Sequence, residues 1–210
     1  MDLTKIFDSN EQWIADKLGK DPAFFDKLAA GQSPEILYIG CSDSRVTAED
    51  LMGLQPGEMF VHRNVANMVI NTDLNIASVI NYAVDHLHVK HIVICGHYGC
   101  GGVKAAMGST DLGILNPYLR EVRDVYRLHQ QELQGISDED ARYRRLVELN
   151  VQEQCINIAK TPEVQRAYAA GKLSVHGWVF DLASGKLIDL KIDMPAVLKD
   201  IQSIYSLDVI

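Results

Sequence analysis

With 210 residues, the chain is long enough to bury one large hydrophobic core and short for two full domains. It is 47% hydrophobic and 23% charged, as an ordinary globular protein is, and its formal net charge of −8 excludes a nucleic-acid partner, because phosphate binding wants a basic face. No apolar run approaches the ~20 residues of a membrane helix, and residues 1–13 lack the apolar stretch of a secretory signal. The expected place is therefore the cytoplasm, away from the membrane. There the four cysteines Cys41, Cys95, Cys100 and Cys155 are thiols or metal ligands and not a disulfide framework.

Taken in chain order, residues 1–31 read as a helical arm. Ser9 followed by Gln12 is a capping-box pattern, and Trp13, Ile14 and Leu18 supply the apolar spacing. Asp21-Pro22 opens a second helix with proline in its first turn, and Gly31 stops it. Such an arm packs on a partner subunit or on its own domain. Residues 32–210 form an α/β core, and the whole chain reads as one domain.

Within the core, Glu35–Gly40 and His91–Gly96 are short, nearly continuous apolar runs, as strands covered on both faces are. Met59–His62 is a third strand. Leu74–His88 is helical, with Ile76, Val79, Ile80, Ala83, Val84 and Leu87 on one stripe. Pro117–Gln134 and Asp138–Lys160 are longer helices, and Glu163–Ala170 is a short one. Leu173–Leu182 and Lys186–Ile192 make a final hairpin across Ala183-Ser184-Gly185. The alternation predicts a mainly parallel central sheet flanked by helices, with the helical arm before it and a hairpin strand after it. In such sheets the chemistry gathers beyond the C-terminal ends of the strands.

Two strands end in unusual sequences. The first runs into Cys41-Ser42-Asp43-Ser44-Arg45, the second into His97-Tyr98-Gly99-Cys100-Gly101-Gly102. If the two strands are parallel neighbours, Cys41 meets His97 and Cys100 at one sheet edge. Two thiolates and an imidazole suit zinc, and three protein ligands leave the fourth position open to water, as in a catalytic site. The neighbouring glycines leave space and present N–H groups at a helix start, where an anion is favoured. They form neither a dinucleotide fingerprint nor a P-loop. Three residues separate Cys41 from Arg45, against five in the cysteine-dependent phosphatases. Cys95 and Cys155 read as buried core. His62, His86, His88, His91, His129 and His176 have no partner at ligand spacing and read as surface or hydrogen-bonded core.

These residues together resemble the β-class carbonic anhydrases. The family's CxDxR stands here as Cys41-Ser42-Asp43-Ser44-Arg45 and its HxxC as His97-Tyr98-Gly99-Cys100, with Val61-His62-Arg63-Asn64-Val65-Ala66-Asn67 between them and Val175-His176-Gly177-Trp178 after. The similarity spans roughly residues 12–190. The resemblance implies interconversion of carbon dioxide and bicarbonate on one zinc ion per subunit, with Cys41, His97 and Cys100 as ligands and Asp43–Arg45 as a catalytic dyad. It also implies a homodimer or homotetramer whose arm wraps the neighbouring subunit and whose active sites lie at the dimer interface.

Charge then sets the expected mechanism. Zinc lowers the pKa of its water, as it does in carbonic anhydrases built on three histidines. Two thiolates cancel the ion's formal charge and make it a poorer Lewis acid, so the attacking oxygen needs help. Asp43 can accept its hydrogen, and Arg45 can hold Asp43 ionised through a charge-assisted pair. Asp43 is also placed to become the fourth ligand itself in a closed form, a switch some family members make. Gly101 and Gly102 offer N–H donors to bicarbonate. In the switching branch a second bicarbonate is held by Trp, Arg and Tyr; the matching Tyr38, Arg63 and Phe180 suggest a vestige of that site. The competing readings are hydrolysis of carbonyl sulfide or carbon disulfide on the same zinc site, and a non-catalytic zinc module closed by Asp43.

Overall fold

The computed structural model describes residues 2–205, and the chain divides between Ser33 and Pro34 into two compact units. The first carries helices α1 (Thr4–Lys20) and α2 (Phe24–Ala29). Asp2 Oδ1 accepts the Thr4 N–H at 3.0 Å, so α1 starts five residues before the expected Ser9 cap. Ser9 lies inside the helix and donates its hydroxyl to the Lys5 carbonyl at 2.8 Å, the usual accommodation of a mid-helix serine. Pro22 likewise precedes α2 instead of entering it: Asp21 Oδ1 accepts the Ala23 N–H at 3.1 Å and turns the chain. The rings of Trp13, Phe24 and Phe25 meet edge to face, with centroids 5.1–6.2 Å apart, and fasten the two helices together.

The second unit continues with β1 (Ile36–Cys41), α3 (Ala48–Met52), β2 (Met59–Asn64), a 3₁₀ turn over Val65–Asn67, and α4 (Leu74–Asn81). After these come β3 (His91–His97), α5 (Gly101–Met107), α6 (Leu115–Leu128), α7 (Gln130–Gln134) and α8 (Glu139–Ala159). α9 (Pro162–Ala169), β4 (Ser174–Asp181), β5 (Lys186–Asp189) and α10 (Met194–Tyr205) complete it. Asp73 caps α4 through the Asn75 N–H at 2.9 Å. The helix expected to reach His88 changes at Tyr82 to a π-helical turn ending at His86. The helix expected over Pro117–Gln134 breaks at His129, whose ring bonds Glu153 on α8 at 2.8 Å. α3 and α10 had no sequence signal strong enough to announce them.

The sheet order is β2-β1-β3-β4-β5, with β5 antiparallel to β4 and the other pairs parallel. The final hairpin closes where Asp181 O accepts the Gly185 N–H at 2.8 Å, and β5 ends at Asp189, short of the expected Ile192. One face of the sheet presents Leu37, Ile39, Ile92 and Ile94 to the helices; the other presents Tyr38, Val93 and Cys95 to a smaller cluster that includes Ala48 and Phe180. Both layers explain why β1 and β3 read as continuous apolar runs. α8 lies against β3 and β4 closely enough that a Cβ on Gly96 would stand 2.6 Å from Val151 Cγ2. Among the described residues no helix is long and apolar enough to cross a membrane.

The contact at Gly96 has a measurable consequence. A Gly96→Ala substitution is expected to cost about 1–3 kcal/mol, the range for overpacking against a stiff β-branched neighbour. Val151→Ala in the same chain should recover part of it; thermal melts of the two variants against the parent check this.

Candidate metal centre

β1 and β3 are adjacent and parallel, with Gly40 in register with Cys95. Cys41 and His97 therefore leave the sheet at the same edge. A turn through Gly99, whose φ is +80°, brings Cys100 back as the residue before α5. The ligand atoms of Cys41, His97 and Cys100 lie within 4.8 Å of one another. All three residues are buried, at 6%, 0% and 1% exposure.

The donor set fits a zinc ion. Two sulfurs each about 2.3 Å from a tetrahedral zinc stand about 3.8 Å apart, and Cys41 Sγ and Cys100 Sγ are 3.9 Å apart. His97 Nδ1 lies 3.1 Å from the Tyr98 carbonyl, which only accepts, so Nδ1 carries the proton and Nε2 keeps a lone pair. That Nε2 is buried and has no hydrogen-bond partner. The hydrogen bond between the two sulfurs holds Cys41 well below the ordinary thiol range, while that same contact, burial and the neighbouring charge push Cys100 up. Two thiolates this close and this buried disfavour one another, and a divalent cation between them would offset that. Beside these larger effects, the nearby backbone N–H groups of Ala66 and Asp43 lower the Cys41 thiol, and those of Val103 and Gly102 lower the Cys100 thiol.

Asp43 stands beside this cluster without belonging to it. Arg45 Nε donates to Asp43 Oδ1 at 2.9 Å, Arg45 Nη2 to Oδ2 at 2.7 Å, and the Arg45 backbone N–H to Oδ1 at 3.0 Å. These bonds hold the Asp43 carboxyl far below the usual carboxylate range. Arg45 Nη2 also reaches the Gly99 carbonyl at 3.2 Å, and Asp43 Oδ2 lies 3.7 Å from His97 Nε2. Asp43 is paired with Arg45, the arrangement expected of the open form. Above the site, a side chain on Gly101 would meet nothing within 4 Å.

The expected anion trio has other partners. Arg63 donates from Nε to the Cys41 carbonyl at 2.9 Å and from Nη2 to the Asp43 carbonyl at 2.7 Å, so it staples the first ligand loop. Tyr38 folds across Gly40 with its hydroxyl buried beside Cys95 and without a hydrogen-bond partner; Phe180 packs in the same apolar cluster. Sequence reasoning missed further supports. Tyr143 donates to the Cys100 carbonyl at 2.8 Å, and Tyr118 to the Val65 carbonyl at 2.8 Å. Tyr98 donates to Glu148 at 2.6 Å while Arg144 stacks 3.5 Å above its ring. Nothing in their spacing marks them, since each acts across a long sequence separation. Cys95 and Cys155 are buried as free thiols, and His91 and His176 bracket the Ser174 hydroxyl at 2.7 and 2.9 Å.

The sequence matches the carbonic anhydrase family over residues 36–187. A carbonic anhydrase of Emericella nidulans is 64% identical over 204 residues, which is 97% of this chain and 90% of that protein. The β-carbonic anhydrase CafA of Aspergillus fumigatus matches in structure with a TM-score of 0.92 at 41% identity, covering 98% of this chain and 99% of its own. A chain from the two tetrameric β-carbonic anhydrases of Sordaria macrospora matches with a TM-score of 0.87 at 43% identity, covering 90% and 97%.

Removing any one ligand should empty the site, because a three-ligand site has none to spare. Cys41→Ala, His97→Ala and Cys100→Ala are each expected to purify with little or no zinc, whereas Cys95→Ala and Cys155→Ala keep it stoichiometrically. Metal content per protein decides the matter, and full occupancy in Cys100→Ala contradicts the ligand set.

Proposed function

This chain belongs to the β-carbonic anhydrase family and catalyses the zinc-dependent, reversible hydration of carbon dioxide to bicarbonate and a proton; we propose that Asp43 and Arg45 are the residues that make its metal site catalytic. One geometry carries this reading: a carboxylate fixed by both arms of a guanidinium, 3.7 Å from the free nitrogen of the buried His97. Cys41, His97 and Cys100 would hold the zinc ion, which would supply an activated water. Asp43 Oδ2, 3.7 Å from His97 Nε2, is the carboxylate oxygen placed to accept a proton beside that site and to orient the attack on CO2. Arg45 keeps the acceptor ionised and stops it turning. Gly101 leaves room for the substrate and offers a backbone N–H to bicarbonate. In a closed form Asp43 would itself ligate the metal, which requires breaking its bonds to Arg45.

Hydrolysis of carbonyl sulfide or carbon disulfide is disfavoured by similarity, at up to 64% identity, to carbonic anhydrases. A permanently closed, non-catalytic module is disfavoured because Arg45 would then lose the partner it holds here. We further read the protein as a homo-oligomer, in keeping with the tetrameric Sordaria enzymes, with the helical arm embracing the neighbouring subunit and the active sites at the dimer interface. Four cysteines without disulfides suit the reducing cytoplasm, a placement that cell fractionation checks.

Stopped-flow CO2 hydration with zinc determined on the same sample tests the dyad. Arg45→Ala and Asp43→Ala should both retain zinc and lose roughly 10²- to 10⁴-fold in kcat, the range for a positioned proton acceptor. Parent-like turnover in either variant sinks the proposal. Activity should rise with pH, because loss of a proton from the activated water favours attack. Asp43 contributes no limb to that profile: Arg45 depresses its pKa, so it is ionised from well below the ordinary carboxylate range upward.

The anion trio leads to a separate expectation. Arg63 is engaged by two backbone carbonyls and Phe180 has no hydroxyl, so we infer that bicarbonate regulates this enzyme weakly or not at all. Phe180→Tyr should leave bicarbonate inhibition unchanged if the pocket is only repacked core, and increase it if an anion pocket survives. Strong bicarbonate inhibition of the unmodified enzyme would be the contrary result.

A further inference from the structure

Three polar side chains stand together at the end of the sheet opposite the ligand loops. His91 opens β3, and Ser174 and His176 lie on β4, with His91 in register with Ser174 and Val93 with His176. Alternation along paired strands puts all three on one face, the face that also carries Val93 and Trp178. The strand that His91 opens ends at His97. At 3.3 Å per residue, the cluster is about 20 Å from the Cys41–His97–Cys100 centre.

The two imidazoles converge. His91 Nδ1 and His176 Nε2 are 3.4 Å apart, and the Ser174 hydroxyl lies 2.7 Å from the first and 2.9 Å from the second. That hydroxyl accepts from one ring and donates to the other, which keeps both nitrogens turned inward. Their spacing is that of a chelate, because two nitrogens each about 2.05 Å from a tetrahedral ion stand about 3.3–3.4 Å apart. To bind, the ring whose proton sits on the inward nitrogen passes it to its other nitrogen, so both rings stay neutral and no net proton is lost. Asp189 on β5 is in register with Trp178 and shares this face, where it adds a negative charge diagonal to His176. His91 is exposed and His176 half-buried, which gives an ion a way in and leaves room for water as its remaining ligands.

We propose that His91 and His176 form a second metal site, which takes a late divalent transition ion such as zinc or cobalt and bridges β3 to β4. Imidazole suits these ions, whereas calcium and magnesium want oxygen ligands and are excluded. The bridge lies far from the reacting atoms, so it stabilises the folded sheet by mass action and does not enter catalysis. It is independent of what the Cys41 centre holds.

Equilibrium dialysis against free zinc tests this on the intact, zinc-loaded protein. The parent should hold one more zinc per chain than His91→Gln or His176→Gln at the same free zinc, while both variants hydrate CO2 at the parent rate. The quantity read is the difference between parent and variant, so it does not depend on how fully the Cys41 centre is loaded. The melting temperature should rise with added zinc in the parent and stay fixed in the variants. Cobalt(II) added to the zinc-loaded protein gives a second readout. The Trp178 ring lies 5.9 Å from that of His176, centroid to centroid, so a paramagnetic ion held there quenches Trp178 emission, and His176→Gln should abolish the quenching. Equal zinc in the parent and a folded variant leaves a hydrogen-bonded pair only and overturns the proposal. Quenching that survives in His176→Gln overturns it as well. Should one variant fail to fold, the other decides, and a parent that gains no further zinc up to about 1 mM overturns the proposal without either, since weaker binding than that contributes under ~4 kcal/mol.

Discussion

The two sulfurs of Cys41 and Cys100, buried 3.9 Å apart, are the constraint to which the surrounding structure answers. Two thiolates at that distance in a poorly solvated interior repel, and neither is easily hydrated. A divalent ion resolves the conflict from the centre. The chain answers part of it from the outside, by tying down the backbone around each cysteine. Arg63 holds the carbonyls of Cys41 and Asp43, and Tyr143 holds that of Cys100. The site is preorganised by hydrogen bonds to main chain more than by contacts between ligands.

The sheet supplies the coarse geometry. A parallel pairing of β1 with β3 is what brings residues 59 apart in sequence to one edge, and their full burial is why both strands read as unbroken apolar runs. That much was legible in the sequence, because periodicity and strand-end motifs are local signals. The α8 boundaries were legible too, with Asp138 capping the helix through the Ala141 N–H. The Ser9 cap failed because a serine can satisfy its hydroxyl on its own helix, so a capping pattern alone does not stop the helix from starting earlier. The break at His129 was invisible, since nothing in Pro117–Gln134 differs from a continuous helix until the ring finds Glu153.

Within the site, the Cys41–His97–Cys100 cluster and the Asp43–Arg45 pair were legible because each sits in a compact motif. The supports were not. Arg63, Tyr118 and Tyr143 act on backbone groups tens of residues away, and one sequence records no partner for them. Gly102 illustrates the difference. Its place in a glycine cluster suggested an N–H for bicarbonate, and the structure adds that its missing side chain is what lets Val65 approach, since a Cβ there would stand 2.7 Å from Val65 Cγ1. Arg63 makes the same point from the other side: the charge is where a second anion site would want it, and the guanidinium is held by the ligand loop.

On the reading proposed above, the balance between open and closed forms would depend on where Arg45 is anchored. If Asp43 became a fourth ligand, the metal would carry three anionic donors against a charge of two, an excess that burial penalises. A guanidinium able to follow the carboxylate would offset it. Arg45 is not free to follow, because its Nη2 is also tied to the Gly99 carbonyl on the opposite ligand loop. Closing therefore breaks a bidentate pair and a backbone hydrogen bond to Asp43 without an equivalent replacement. Opening keeps all three and leaves the metal with two thiolates and a neutral imidazole, an electrically balanced set. The tether to Gly99 thus ties the Asp43–Arg45 pair to the same turn that presents His97 and Cys100.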